Sequence, residues 1–309
     1  MKRIYNADGT IEEAENINGY LLNAPSLCIE SRKQKLCDVP DMVFGSMPND
    51  SGNFILSEEE KDEFIKKEPS AEKYIHLFLG ADEFINNKKR YCLWLVGASP
   101  AELKKMPNVL KRVEAVRQMR LSSKRGATQK LADTPHLFGE IRQPETGNYL
   151  IVPRVSSERR KYIPIGFLDS NVIASDAVQI IPNANIYEFG ILTSSVHMAW
   201  MRAVAGRLKS DYRYSKDIVY NNFPWCKPTT EQKAKIEKSA QAILDARAKY
   251  PDSSLADLYD ETLMPSELRK AHRANDRAVM AAYGFDVKMS EAEILARLFE
   301  MYEELKEKS

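Results

Sequence analysis

The chain has 309 residues, 43% hydrophobic and 29% charged, with a formal net charge of +1. That length and balance fit one large or two ordinary soluble domains with a real core. No run of about 18 apolar residues offers a membrane span, and the polar, acidic stretch Met1–Asn18 has no apolar centre of a secretory signal.

Residues 1–22 read as a leader or linker, with little order expected up to about Pro25. The Pro, Gly, Asn and Ser cluster from Pro40 to Asn53 predicts loops and short extended pieces. Ser57 followed by Glu58, Glu59 and Glu60 predicts a capped helix running to about Lys67 and stopping before Pro69. Tyr91–Val96 has the length and composition of a strand. Residues 100–124 predict a helix broken near Pro107, with Val109, Val113, Val116 and Leu121 along one apolar face.

Short strands are expected at 149–155, 162–168 and 178–181, then a buried helix at 192–205 with Gly206 as its stop. After Pro228 the spacing turns helical, at 230–250, 265–283 and 290–308. A boundary near 227 follows: a mixed α/β domain at 23–227, then a small helical domain at 228–309.

Cys28, Cys37, Cys92 and Cys226 are scattered, with no CxxC pair and no zinc-finger histidines, so they read as reduced thiols. The near-neutral total hides a local asymmetry. Between Ala101 and Lys130, nine basic residues face two acids, Glu102 and Glu114, a local charge of +7. Such a stripe can neutralise phosphates, although a solvated helix face has the same composition.

The motifs of DNA aminomethylation are missing. No glycine-rich turn follows a strand to hold a cofactor, and no polar-Pro-Pro-aromatic loop is present to grip a flipped base. Asn221–Asn222–Phe223–Pro224–Trp225 has its single proline after the aromatic. Walker, GxSxG, HExxH and PD-(D/E)xK patterns are also missing, which removes the common reaction classes without excluding a novel one.

Several strings are too particular for a generic core: ADEFIN (81–86), RVEAVRQMRLSSKRGAT (112–128), PRVSSERRKYIPIGF (153–167), HMAWMRAVAGRLKSDYRYS (197–215) and VYNNFPW (219–225). On these the chain resembles the target-recognition and C-terminal region of MmeI-like fused restriction–modification enzymes and related adenine-specific DNA methyltransferases. The resemblance runs from about Ile17 to the end. It implies an α/β (α+β) fold, a twisted mixed sheet flanked by helices and followed by a small helical bundle. It also implies a cytoplasmic specificity module that binds double-stranded DNA. An amino-terminal nuclease and a methyltransferase domain would precede this region, and the latter would bind S-adenosylmethionine. No cofactor, metal or catalytic residue is expected within the chain itself.

The same resemblance implies two variable pairs that each set one base pair, Lys209 with Asp211 and, more loosely, Arg154 with Asp176. The chemistry is apt: lysine and arginine donate to guanine O6 and N7, and aspartate accepts from the cytosine N4 amino group. Both pairs are therefore expected to read G·C. Arg117, Arg120, Ser122, Ser123, Lys124 and Arg125 are expected to contact the DNA backbone, as are Ser156, Ser157, Arg159, Arg160 and Arg213. Plainer roles compete: an Arg–Glu pair pinning the 154–160 loop, an inert surface pair at Lys209 and Asp211, and tyrosines 212 and 214 packed against a sheet. His197, Trp94, Trp200 and Trp225 read as core, and LYDETLMP (258–265) as a packing element. The alternative function is a protein-interaction module that docks on a separate methyltransferase or nuclease subunit.

Overall fold

Capping side chains and prolines set most element boundaries in the computed structural model, which describes residues 2–5, 9–21, 23–24 and 26–308. Strands β1 (Lys2–Tyr5) and β2 (Ile11–Ala14) pair antiparallel where a leader is predicted. Met1, residues 6–8, Leu22 and Pro25 of that stretch lie outside the described residues. Next come β3 (Val43–Phe44), β4 (Ile55–Leu56) and α1 (Glu58–Lys67). The Ser57 hydroxyl accepts from the Glu60 N–H and the Glu60 carboxylate accepts from the Ser57 N–H, the reciprocal cap that the sequence predicts.

β5 (Ile75–Leu79), α2 (Ala81–Asn86) and β6 (Tyr91–Leu93) follow. The basic stretch breaks at its proline into α3 (Pro100–Leu103) and α4 (Pro107–Leu121), because proline is tolerated only in a first helical turn. Then come α5 (Gly126–Lys130) and five strands, β7 (Asn148–Pro153), β8 (Val155–Ser156), β9 (Gly166–Asp169), β10 (Ile173–Ala174) and β11 (Val178–Pro182).

The buried helix predicted at 192–205 is α7 (Ser195–Val204), and a further helix, α6 (Ile186–Leu192), precedes it. Ser194 starts α7: its hydroxyl accepts from the His197 N–H. The chain ends with β12 (Gly206–Leu208), β13 (Asp211–Arg213) and helices α8 (Thr230–Ala248), α9 (Leu255–Leu258), α10 (Ser266–Tyr283) and α11 (Glu291–Glu307). The fold is thus mixed α/β with a C-terminal helical region. No helix among the described residues is long and apolar enough to cross a membrane.

Two compact units divide the chain. One contains residues 43–153 and 166–183. It holds a mixed sheet in the order β10-β5-β6-β4, with β10 parallel to β5, and an antiparallel sheet in the order β3-β11-β7-β9. Phe54, Leu93, Val109, Val116 and Phe138 lie in its larger core cluster. Gly45 follows β3 where a side chain would collide: a Cβ there would lie 2.2 Å from the Ser175 carbonyl oxygen. Glycine alone permits this approach to the 175–177 turn.

In the same unit α4 buries Val109, Val113, Val116 and Arg120, while Leu121, expected on that face, is 48% exposed. Arg120 is fully buried and donates to five backbone carbonyls: Pro48, Asn49, Leu131, Thr134 and Leu137, at 2.8–3.1 Å. Two loops thus find partners for carbonyls that helices and strands leave unpaired. Arg120 is an internal organiser, which corrects its expected place on the DNA backbone.

The other unit contains residues 1–42, 154–165 and 184–309. Helices α8–α11 share it with α6 and α7, so compactness divides the chain differently from a boundary at 227. A Cβ on Gly190 of α6 would lie 2.7 Å from Ile236 of α8, so these helices pack at backbone distance. The unusual Asn221–Asn222 pair is structural. The Asn221 side chain donates to the carbonyls of Arg32 and Lys33, and that of Asn222 to the carbonyl of Glu30. The Tyr220 hydroxyl donates to the Pro40 carbonyl, completing a seam along residues 30–40.

Arg120→Met keeps side-chain bulk but leaves the carbonyls of Asn49 and Leu137 with no donor among the described residues, since Pro48, Leu131 and Thr134 also accept backbone N–H groups. It should therefore cost about 2–3 kcal/mol in urea unfolding. Arg120→Lys should recover little, since an ammonium cannot reproduce the guanidinium fork. An unchanged unfolding midpoint for both variants would show that the carbonyls have other partners.

Candidate nucleic-acid interface

The expected base readers Lys209 and Asp211 lie on a hairpin whose geometry is dictated by alternation along a short strand. β12 and β13 pair with Leu208 opposite Asp211, Arg207 opposite Tyr212 and Gly206 opposite Arg213. Only Lys209 and Ser210 remain to turn the chain. β13 pairs on its other side with β8, placing Tyr212 opposite Ser156 and Arg213 opposite Val155. The Tyr214 N–H continues the ladder to the Arg154 carbonyl at 2.8 Å.

Opposite residues share a face of a sheet. Leu208, Asp211, Arg213 and Val155 therefore occupy one face, and Arg207, Tyr212, Tyr214, Ser156 and Arg154 the other. Tyr212 and Tyr214 are 7% and 2% exposed, and the Tyr214 hydroxyl lies 2.9 Å from His197 Nε2. Burial pushes the His197 imidazole down to about 3. It is a neutral core histidine, and the tyrosines are anchors. Their inward orientation leaves Arg213 exposed and Asp211 half-exposed on the opposite face, beside an exposed Leu208.

Lys209 at the tip is exposed and has a φ of +56°, in the left-handed region that ordinarily favours glycine at such a turn. Retaining a non-glycine residue there costs about 1–3 kcal/mol of local strain. Arg207, absent from the expected site, rigidifies the tip. Its guanidinium lies 3.8 Å from the Tyr212 ring centroid, donates to the Ser210 carbonyl at 2.7 Å and pairs with Glu158 at 3.8 Å. The signal for it, an arginine across from a tyrosine, is legible only once the turn is placed at Lys209–Ser210.

The adjacent 156–160 turn divides the expected phosphate contacts. Ser156 is buried on the tyrosine face, which corrects its expected exposure to a phosphate. Ser157 is half-buried; its hydroxyl accepts from the Arg159 N–H, and its carbonyl from the Arg160 N–H. Arg159 is exposed and Arg160 half-buried. Burial draws Arg160 below its ordinary value, and the carboxylates of Asp211 and Asp260 oppose that shift. Asp211 thus sits in the field of a guanidinium on its own unit.

The second expected pair is not brought together within one unit. Arg154 belongs to the unit with the hairpin; Asp176 belongs to the other, half-buried in the 175–177 turn beside Gly45. In that second unit Arg117, Ser122, Lys124 and Arg125 are exposed at the end of α4 and in the loop after it, with Ser123 half-buried. Arg117 pairs loosely with Glu114 at 3.8 Å. The Ser122 hydroxyl donates to the Met119 carbonyl, and the Ser123 hydroxyl accepts from the Arg125 N–H. Arg112 is also turned inward, donating to the Asn53 carbonyl at 2.6 Å. The stripe is therefore thinner than its sequence charge, though Lys104, Lys105, Lys111 and Lys130 add exposed cations.

Among the described residues no group of three or more histidine, cysteine or acidic side chains could hold a metal. The amides of Asn221 and Asn222 are occupied by the seam, and Phe223 and Trp225 are buried.

Comparison with known proteins matches this geometry to one family across nearly the whole chain. The sequence model of the MmeI target recognition domain matches residues 23–227, and that of the MmeI C-terminal domain matches residues 228–308. DNA methyltransferase A of Bacillus subtilis (strain 168) is 40% identical over 302 residues, 97% of this chain and 34% of that relative. A solved structure of the type IIL restriction-modification enzyme MmeI in complex with DNA is 48% identical, with a TM-score of 0.91. It covers 98% of this chain and 40% of the solved one. The chain thus spans little more than a third of the length of these relatives.

The strain at the hairpin tip has a direct consequence. Lys209→Gly should raise stability in urea unfolding by roughly 0.5–1 kcal/mol, the relief of positive φ less the added freedom of the unfolded chain. A loss of stability would show that the lysine side chain is itself structural.

Proposed function

The chain belongs to the MmeI family, through its target-recognition and C-terminal domains, and from that membership we propose that it recognises a DNA sequence on behalf of an adenine-specific methyltransferase. The observation that carries the proposal is the β12–β13 hairpin, with an exposed lysine and a half-exposed aspartate two residues apart on a braced tip. A two-stranded ribbon fits the major groove, where all four base pairs present distinct donor and acceptor patterns. Lys209 donates to guanine O6 or N7, and Asp211 accepts from the N4 amino group of the paired cytosine. Arg154 and Asp176 are each assigned a base contact of the same kind, the arginine donating to a guanine and the aspartate accepting from a cytosine.

Arg213, Arg159, Arg160 and Ser157 hold the backbone beside the hairpin. In the other unit Arg117, Ser122, Ser123, Lys124 and Arg125 do the same. These contacts fix position and supply salt-dependent affinity, while the base contacts supply the choice of sequence. Methyl transfer is assigned to a methyltransferase domain, fused ahead of this region as in the family, working in the bacterial cytoplasm. S-adenosylmethionine belongs to that domain. The nearest local candidate for gripping a base, residues 221–225, is spent on the structural seam and fits neither cofactor nor base, so no catalytic step is assigned to this chain.

Selection from a randomised duplex pool by the purified chain, repeated across a salt series, tests the assignment. The chain should enrich a short motif containing G·C pairs, with retention falling steeply as salt rises. Lys209→Asp combined with Asp211→Lys should invert one G·C pair to C·G and leave the other positions unchanged. An unaltered preference in the exchanged variant would dismiss the hairpin as reader. Uniform recovery of the pool by both proteins would favour docking on a separate subunit instead.

A further inference from the structure

Beyond the hairpin, the strongest unassigned feature is a line of cations on the C-terminal helices. Resting on the DNA-recognition proposal, we propose that Lys161 with Arg269, Arg273 and Arg277 of α10 forms a second phosphate-binding track, along which the DNA backbone continues from the hairpin. The three arginines recur every fourth residue, so they line one helix face in steps of about 6 Å. Arg273 and Arg277 are exposed, and neither makes a hydrogen bond or ion pair among the described residues. Arg269 spends one N–H on the Glu261 carbonyl at 2.8 Å. Lys161 is exposed, with its ammonium 5.6 Å from the Tyr162 ring centroid.

The acids nearby are mostly committed elsewhere. The Asp276 carboxylate faces inward, accepting from the Tyr162 hydroxyl at 2.6 Å and the Ser195 N–H at 2.7 Å. Burial raises its pKa, against the opposing pull of those hydrogen bonds and of the Lys161 ammonium. Glu291 is held by both arms of Arg202, each at 2.7 Å. Glu261 is the remaining carboxylate against four cations on these cleft walls.

These cations lie on connected surfaces. Lys161, Arg273 and Arg277 line a cleft of about 430 Å³, and Lys161 and Arg273 also line a smaller one with Arg269 and Tyr259. Tyr259 and Glu261 in turn wall a third cleft, with Ser157, Arg159 and Arg160. Glu158 of that turn is the residue that pairs with Arg207 of the hairpin. Shared lining residues thus link the turn beside the hairpin to Arg277, all within one unit. A line of guanidinium forks suits a ladder of phosphate oxygens better than a compact anion. The C-terminal helices thereby gain a role in affinity, separate from base choice.

Binding of the full chain to a random-sequence duplex across a salt series tests the track. Arg273→Ala with Arg277→Ala should lower the slope of log affinity against log salt by about 1.8, about 0.9 for each phosphate no longer neutralised. The enriched motif should not change. Arg273→Lys with Arg277→Lys should restore most of the slope, which a purely structural role would not predict, and thermal midpoints report whether each variant is folded. A folded double-alanine variant with the unaltered slope overturns the track. If the Lys209/Asp211 exchange still alters preference, the hairpin assignment survives that result. Failure of the unaltered chain to bind DNA at any salt overturns both.

Discussion

Alternate burial along β13 is the constraint on which the candidate site depends. Tyr212 and Tyr214 point inward, and the pleat then forces Asp211 and Arg213 to the opposite face. A slip of one residue would bury the charged pair and expose two rings, a change opposed both by desolvation of the charges and by loss of the aromatic packing. The register is reinforced from three directions: pairing with β8, the contact between Tyr214 and the neutral His197, and the stack of Arg207 on Tyr212. The exposed tip residues Lys209 and Ser210 take no part in that register. Under the proposed reading, substitutions there alter the bases read without disturbing the fold.

Arginine plays two opposed roles in this protein, and composition does not separate them. Arg120 and Arg112 sit within the most basic stretch of the sequence, yet both turn inward to backbone carbonyls. Arg273 and Arg277, in a helix far less basic than that stretch, have guanidiniums with no hydrogen-bond or ion-pair partner among the described residues. A net charge near zero is therefore compatible with extended cationic surfaces, because burial and pairing decide which charges reach solvent.

Much of the architecture was legible from local chemistry. The Ser57 cap, the break at Pro107 and the long helices after Pro228 all follow from side chains that satisfy or remove backbone donors. The start of α7 was signalled by the polar Thr193–Ser194–Ser195 run, whereas α6 before it was not foreseen. The hairpin pair was reachable because its residues are neighbours in sequence. The partition of Arg154 and Asp176 between units, the inward turn of Arg120 and the bracing by Arg207 were not. Each depends on contacts between residues distant in sequence or on a register no single segment encodes. The Asn221–Asn222 string stands out in the sequence, but its use as a seam for residues 30–40 depends on two segments distant in sequence meeting.

The most direct measurement is thiol cross-linking between Lys209→Cys and a duplex carrying a thiol tether at one base, scanned along the sequence the chain selects. A tether on cytosine N4, in the major groove, should give a strong adduct at one position and little elsewhere. A tether on guanine N2, in the minor groove, should give none above the background of the unaltered chain, which retains its exposed Cys28. Adducts of equal yield from both grooves, or none above background from either, would contradict the placement of the hairpin tip against the bases.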